Sequence, residues 1–527
     1  MHRRGTYGVS VSGLGYPLLP SGRAAMVVLA ACGTFMVNNG WLTLNFAIVC
    51  MVNSTYLQPA DQHNLSLAQA DSCRGRDFQD SIQDYGGTFA WDRSVQANLL
   101  AAEAWGAVIF ALPASYILDR FGIVNNVIFV LKQVSVYCCV FSCVKWIYVA
   151  ATGVSVLTLS LIPTAARLHS DFVLGLRMLQ GFTFEISWPS ILILISRWVP
   201  HHELPPLLGL VAGGYQVGSL FTMLSSGYIC KGAGWDFVFY VAAALSGCQL
   251  VGWLALYSDD VADSWFVSAQ EKAYLAQQCA RAPSRHARRP IPYRRIFSSP
   301  AVWAIVCANF ANWYVSYFVC DFLPTYLKEQ LLLPTTGNSL MSALPFALRM
   351  LGVFSSGLWF RLASRVLSPS NAVKLFCGLG GIMPSLSVLL LCLFDCTQAY
   401  GAVAVLCVGY LFMGMTPQGY SRSSCTIAPE FTGTIASTGA FASYMSGVLV
   451  PYVTGALTPH GTREGWRSAM LLTGAVGIAG TAFFLVFGKG ERLKWAAVEP
   501  SPEQTKPPLT TISGNVQKAQ DAQQTGA

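Results

Sequence analysis

Long apolar runs separated by short polar joints set the pattern of this 527-residue chain. Nine runs hold no Asp, Glu, Lys or Arg: 24–60, 146–166, 204–230, 237–258, 296–320, 375–394, 396–421, 431–462 and 468–488. Each reaches the roughly 20 predominantly apolar residues that a helix needs to cross the hydrocarbon of a bilayer. Three more stretches have the length but carry charge: 95–118 with Glu103, 172–196 with Arg177 and Glu185, and 337–360 with Arg349. None alternates with the period of two that barrel strands require, and open sheets have no place in lipid, so every stretch predicts a helix. The expected fold class is an all-α polytopic membrane protein with twelve transmembrane helices.

Composition agrees with the pattern. Only 11% of the residues are charged, against about 25% in ordinary soluble domains. With 53% hydrophobic residues the chain is also far from the composition of disordered proteins.

Charge then orients the helices. Residues 1–23 carry Arg3, Arg4 and Arg23 and no acid, and the 258–300 loop carries seven Lys or Arg residues. The 53–94 loop instead holds six aspartates against three arginines. Basic loops stay in the cytoplasm. This predicts a cytoplasmic N-terminus (1–23), a six-helix half (24–257), a basic cytoplasmic central loop (258–300), a second six-helix half (301–488) and a disordered cytoplasmic tail (489–527). Residues 53–94 become an external or lumenal loop, and Asn64, in the sequon Asn64-Leu-Ser, its expected glycosylation site. Residues 123–145 add an apolar segment whose charge-free core, between Lys132 and Lys145, is too short to cross. They are read as a cytoplasmic insertion or an artefact of the gene model.

The sixteen cysteines form no CxxC pairs and the histidines no cluster at ligand spacing, so no metal site is expected. Cys73, in the external loop, has Cys230 or Cys396 as possible disulfide partners. No phosphate-binding loop of the GxxxxGK[ST] kind and no nucleophile–base constellation occurs, which argues against an ATP-driven pump and against an enzyme.

Ionisable residues inside spans are costly, by about 2.5–3.5 kcal/mol on insertion scales, and mark functional positions. Glu103 and Arg177 fall at similar depth and can pair if their helices are neighbours. Glu185 lies near the middle of the fourth span, and Asp321 and Arg349 form a possible second pair, an internal latch. A buried carboxylate suits proton coupling, because desolvation disfavours its charged form. A buried arginine stays charged and recognises carboxylate or phosphate with its forked donors. Pro113, Pro163, Pro189, Pro324, Pro345, Pro384, Pro417 and Pro451 interrupt the spans, as in helices that must move.

ASYILDRFG at 114–122, with Asp119 and Arg120, resembles the loop between the second and third spans of the major facilitator superfamily. Further strings are similar to its anion:cation symporter family, which includes sialin and the vesicular glutamate and sodium–phosphate transporters. They include AIVCMVN (47–53), RMLQG (177–181), GWDFVFY (234–240), SAQEKAYL (268–275), FLPTYLKE (322–329), IAPEFTG (427–433) and FGKGERLKW (487–495). The resemblance implies a major facilitator fold of two six-helix halves with alternating access around a central cavity. It also implies symport of an organic or inorganic anion, with Arg177 as the anion-binding residue. Trp41 and Thr43 stand where the family often has Arg and Asn, Phe184 where it has a fourth-span glutamate, and Asn312 near a seventh-span arginine of some members.

The expected function is proton- or ion-coupled anion transport, with sodium-coupled phosphate symport and a transport-inactive receptor or scaffold as alternatives. In this scheme Arg177, Trp41, Trp313 and Tyr317 bind solute, with Tyr215 and Tyr444 as further aromatics at the cavity. Glu103 or Glu185 takes the coupling proton, and Asp119, Arg120, Asp321 and Arg349 act as gates or latches. The expected partners are a small anionic solute and the bilayer, not nucleic acid. No cofactor is expected beyond a coupling H+ or Na+. The expected location is the plasma membrane or an endolysosomal or vesicular membrane.

Overall fold

The structure, a computed structural model, describes residues 21–53, 87–121, 144–200, 203–258, 261–279 and 291–496. Twelve long helices follow in order. The first six are α1 (Gly22–Met51), α2 (Arg93–Phe121), α3 (Val144–Leu168), α4 (Ser170–Trp198), α5 (Leu204–Ala233) and α6 (Trp235–Leu256). The rest are α7 (Pro300–Glu329), α8 (Thr335–Ala363), α9 (Pro369–Leu390), α10 (Ala399–Met413), α11 (Thr432–Leu457) and α12 (Arg463–Phe487). Among the described residues, ten helices are long and apolar enough to cross a membrane. Outside that set stand α2 and α4, each 29 residues long, which carry Glu103 and the pair Arg177 and Glu185. The insertion before residue 144, Asn64 and the tail from 497 lie outside the described residues, as do the side chains of Asp119 and Arg120.

Helices α3, α4, α7, α8, α9 and α11 each run through an internal proline. Helix α7 runs to Glu329 and holds Asp321 within it, as expected, hydrogen-bonded inside the bundle. One expectation shifts. The expected single span 396–421 breaks after Met413: a 3-10 turn at Thr416–Gln418 and a short helix, Tyr420–Thr426, follow. Gly414, Pro417 and Gly419 supply the break, since proline removes a helical hydrogen bond and glycine favours non-helical backbone.

Helices α1–α6 pack mainly on one another, and α7–α12 do likewise; α2 with α11, α5 with α8 and α1 with α7 join the two groups. The segment between the groups lies at one end of the bundle, here the linker end. There the Glu271 carboxylate, on the helix Ala269–Cys279, accepts the backbone N–H groups of Gly22 and Arg23, each at 3.0 Å. Negative charge at a helix N-terminus satisfies unpaired donors and the helix dipole together. The fully buried Arg23 also meets Glu203, at the start of α5, at 2.5 Å. The linker helix thus clamps the starts of α1 and α5.

At the opposite, far end the groups meet along a polar seam. Arg93 of α2 pairs with Glu329 of α7, and the Lys328 ammonium donates to the Val49 carbonyl of α1 at 2.9 Å. Ser339 of α8 donates to the Leu224 carbonyl of α5 at 2.6 Å. Among the described residues, hydrogen bonds and ion pairs between the groups run from mid-bundle to this end. In the linker half the groups touch through Phe354 against Gly213.

Candidate functional site

Glycines bring the central charges together. A Cβ on Gly181 of α4 would lie 1.9 Å from the Glu103 carbonyl oxygen, and one on Gly106 of α2 would lie 2.0 Å from that of Met178. Only hydrogen at both positions lets the two backbones touch, the small-residue device common in membrane helices. Glu103 and Arg177 project from this crossing and meet at 2.6 Å, both almost wholly buried. The contact lies off the hydrogen-bonding direction, so Glu103 Oε2 accepts no aligned N–H. Arg177 spends its aligned donors elsewhere: Nη1 on Gln180 Oε1 at 2.9 Å, and Nη2 on the Trp41 carbonyl at 3.3 Å. The guanidinium therefore ties α1, α2 and α4 into one unit.

Beside Glu103 lies a cavity of ≈ 30 Å³, whose lining includes Glu103, Gln180, Thr152, Ser155, Thr183 and Ser246. That is room for about one water, against a lining that also includes Met36, Val37, Trp41 and Phe184.

Helices α1 and α7 meet over two successive turns. Trp41 packs edge-on against Tyr317, with ring centroids 5.4 Å apart. One turn on, Asn45 Nδ2 donates to Asp321 Oδ1 at 2.6 Å. Trp313 continues the aromatic line beyond Tyr317 at 5.8 Å, and Tyr215 adjoins Trp41 at 6.3 Å. Across the other face of the seam the Tyr444 hydroxyl of α11 donates to Glu185 Oε2 of α4.

The expected pair Glu103–Arg177 is therefore formed. The expected latch Asp321–Arg349 is not: Asp321 bonds Asn45, and Arg349 Nη1 reaches Ser316 Oγ at 3.3 Å instead. The cause is helical geometry. Asp321 lies five residues beyond Ser316, about 7.5 Å along α7 and about 140° around it, so it faces α1 and not α8.

The Major Facilitator Superfamily profile matches residues 30–451, most of the chain. The chain belongs to the Major Facilitator Superfamily. Curated relatives of the anion:cation symporter family cover nearly its whole length, as the sequence strings imply. It is 25% identical over 480 residues to the "Probable small intestine urate exporter" of Homo sapiens, covering 89% of this chain and 90% of that one. To sialin of Homo sapiens it is 27% identical over 493 residues, covering 91% and 92%. To sodium-dependent phosphate transport protein 3 of Mus musculus it is 25% identical over 488 residues, covering 90% and 95%. Among solved structures, a D-xylose–proton symporter superposes with a TM-score of 0.58 at 13% identity, over 90% of this chain and all of the other, a likeness of fold alone. The chain is a multi-pass integral membrane protein.

Within this superfamily fold, Arg177, Glu103, Trp41, Tyr317, Asp321 and Glu185 all sit at mid-bundle or on the seam between the two groups. Sequence reasoning passed over Gln180 and Asn45, the partners of Arg177 and Asp321. Both are neutral amides in or beside apolar runs, with no charge to mark them. Their signal was helical spacing: Gln180 is three residues from Arg177, and Asn45 four from Trp41. Asn38 was missed for the same reason and zips α1 to α5 through the Tyr215 carbonyl and Ser219 Oγ, at 2.7 and 2.6 Å. Of the two disulfide partners open to Cys73, Cys230 carries a free thiol and Cys396 is disulfide-bonded; Cys73 itself lies outside the described residues.

Proposed function

We propose that the protein is a proton-coupled secondary transporter of an anion, working by alternating access between two halves of six transmembrane helices each. The buried Glu103–Arg177 contact carries the reading. A guanidinium held by a carboxylate is not available to a solute anion. Protonating Glu103 cancels the acid's charge and frees the fork of Arg177, which suits a bidentate grip on carboxylate or phosphate. The solute and the proton then bind together and leave together, which is symport. The cavity against Glu103 has room for a water that could hand the acid its proton.

Conformational exchange follows from the seam. By the positive-inside rule the basic linker end is cytoplasmic, so the zipped far end faces outside or a lumen and this state is closed to that side. Opening outward requires parting Arg93 from Glu329, Lys328 from the end of α1, and Asn45 from Asp321. The linker clamp on α1 and α5 moves with the first half as a rigid body. The printed names of the relatives, a urate exporter and a phosphate transporter among them, support an anionic solute.

The test is uptake into proteoliposomes of the full chain, with pH, sodium and potential gradients imposed separately. The panel is labelled urate, sialate, glutamate, ATP and phosphate, and Arg177→Ala is run alongside. Flux that follows the pH gradient and is lost in Arg177→Ala is the expected result. Flux that follows sodium, for phosphate alone, would replace the reading with sodium-coupled phosphate symport. Folded protein with no flux under any gradient would replace it with a receptor.

A further inference from the structure

Four arginines are buried among the described residues, and three of them meet a carboxylate: Arg23, Arg93 and Arg177. Arg349, 8% exposed on α8, meets none. Its hydrogen bond is to Ser316 Oγ at 3.3 Å, and its Nε is buried without a partner. The helical turn that carries it is nonetheless held firmly. A Cβ on Gly352 would lie 2.0 Å from the Leu411 carbonyl oxygen, and one on Gly414 would lie 2.5 Å from that of Arg349, so α8 and α10 touch backbone to backbone at this turn. The Tyr410 hydroxyl, also from α10, is buried close to Arg349 and to the same Ser316. A buried guanidinium without a counter-ion carries a large desolvation cost, and inside a membrane protein such a charge marks a ligand position.

The surroundings define the ligand further. Arg349 reaches Ser316, the residue before Tyr317 on α7, and Tyr317 belongs to a run of rings that crosses between the halves and starts beside Tyr215 of α5. Trp188 stands 6.2 Å from Tyr215, and Trp41, Tyr317 and Trp313 follow at 6.3, 5.4 and 5.8 Å. Arg177 is already offset by Glu103, so Arg349 is the unbalanced cation beside this run.

We propose that Arg349 joins the freed Arg177 in holding the solute's carboxylate and that the ring run receives its apolar body, so that the substrate class is an organic acid with a planar or aromatic frame. This rests on the transporter reading and names the solute for it. Aromatic faces accept flat apolar groups by stacking or edge contact, and the forked donors of arginine match a carboxylate. Inorganic phosphate has no body to place on the rings.

Binding is measured by calorimetry on the purified full chain, apart from any flux, with 1-naphthoate, benzoate, acetate and phosphate as probes. The expected order of affinity is naphthoate, benzoate, acetate, with phosphate weakest. Arg349→Met, which keeps bulk and removes charge, lowers naphthoate affinity at least tenfold, and Arg349→Lys lowers it several-fold because the fork is lost. The exposed Arg361→Ala serves as control. Without ligand, Arg349→Met melts no lower than wild type, since it removes an uncompensated buried charge. Phosphate binding more tightly than naphthoate, or unchanged naphthoate affinity in Arg349→Met, overturns the proposal. So does a lower melting temperature of that variant without ligand, which would reveal a structural counter-ion. Proton-driven flux of another anion would then leave the transporter reading standing, whereas Arg349-dependent binding with no flux of any solute would sink that reading and not this one.

Discussion

Glu103→Gln separates charge from shape at the central pair. The amide fills the space of the carboxylate and leaves Arg177 its contacts with Gln180 and the carbonyls of Gly40 and Trp41, at 2.9, 3.5 and 3.3 Å. It removes the negative charge 2.6 Å from the guanidinium. Breaking a buried pair by removing one partner costs about 3–5 kcal/mol. In the wild type a solute anion must overcome that same pairing before it reaches Arg177. At about 1.4 kcal/mol per tenfold, freeing the arginine raises solute affinity by roughly two to three and a half orders of magnitude. The variant should therefore melt well below wild type without solute, and a saturating anion should restore it. At a concentration 100 times the dissociation constant the restoration is about 2.7 kcal/mol. Binding by calorimetry between pH 5 and pH 8 should be tight and flat for Glu103→Gln. The wild type should bind more tightly as pH falls, because each protonated Glu103 releases an Arg177. In liposomes the variant should still exchange labelled for unlabelled solute but fail to accumulate it against a gradient. A Glu103→Gln variant that keeps the wild-type pH slope, or still concentrates solute on a pH gradient, would refute the reasoning.

Other parts of the structure give further expectations. Gly181→Ala drives a methyl to 1.9 Å from the Glu103 carbonyl oxygen; overpacking of this kind costs about 1–3 kcal/mol, and the melting temperature and the pH dependence of binding should fall together. Arg93→Ala loosens the far-end seam, where the pair is only partly shielded because Glu329 is 15% exposed; a loss of about 1–2 kcal/mol, discounted from the buried-pair figure, should raise thiol labelling of an Ala97→Cys reporter about tenfold. Asp321→Ala strands the Asn45 amide and should cost about 1–3 kcal/mol, whereas Asp321→Asn keeps an acceptor for it and should melt close to wild type. Glu271→Ala removes both the cap on α1 and a counter-ion of Arg23, and should lower the unfolding midpoint by an amount consistent with about 3–5 kcal/mol.

The helices were legible because lipid leaves few choices: a run of about 20 apolar residues with no charge is a span, wherever it falls. The break in α10 was not, because Gly414, Pro417 and Gly419 are common in spans that stay whole, and what separates the cases is packing against neighbours. The Glu103–Arg177 pair could be read from depth, since each residue lies a comparable distance along its own apolar run. For Asp321 and Arg349 the same reasoning failed, because the rotation of α7 turns one toward α1 and leaves the other beside Ser316. Rotation depends on which faces the helices present to each other, and in uniformly apolar spans the sequence barely marks a face. That also explains why Asn45 and Gln180 went unnoticed until their contacts were visible.

Solute-driven proton movement tests the central claim most directly. Proteoliposomes holding the full chain and a trapped pH dye start with equal pH on both sides and the potential clamped, and an anion that the protein binds is added outside. The account predicts acidification of the lumen that saturates with solute, that needs no sodium, and that disappears in both Glu103→Gln and Arg177→Ala. Solute entry with no change in lumenal pH, or acidification that persists in Glu103→Gln, would contradict it.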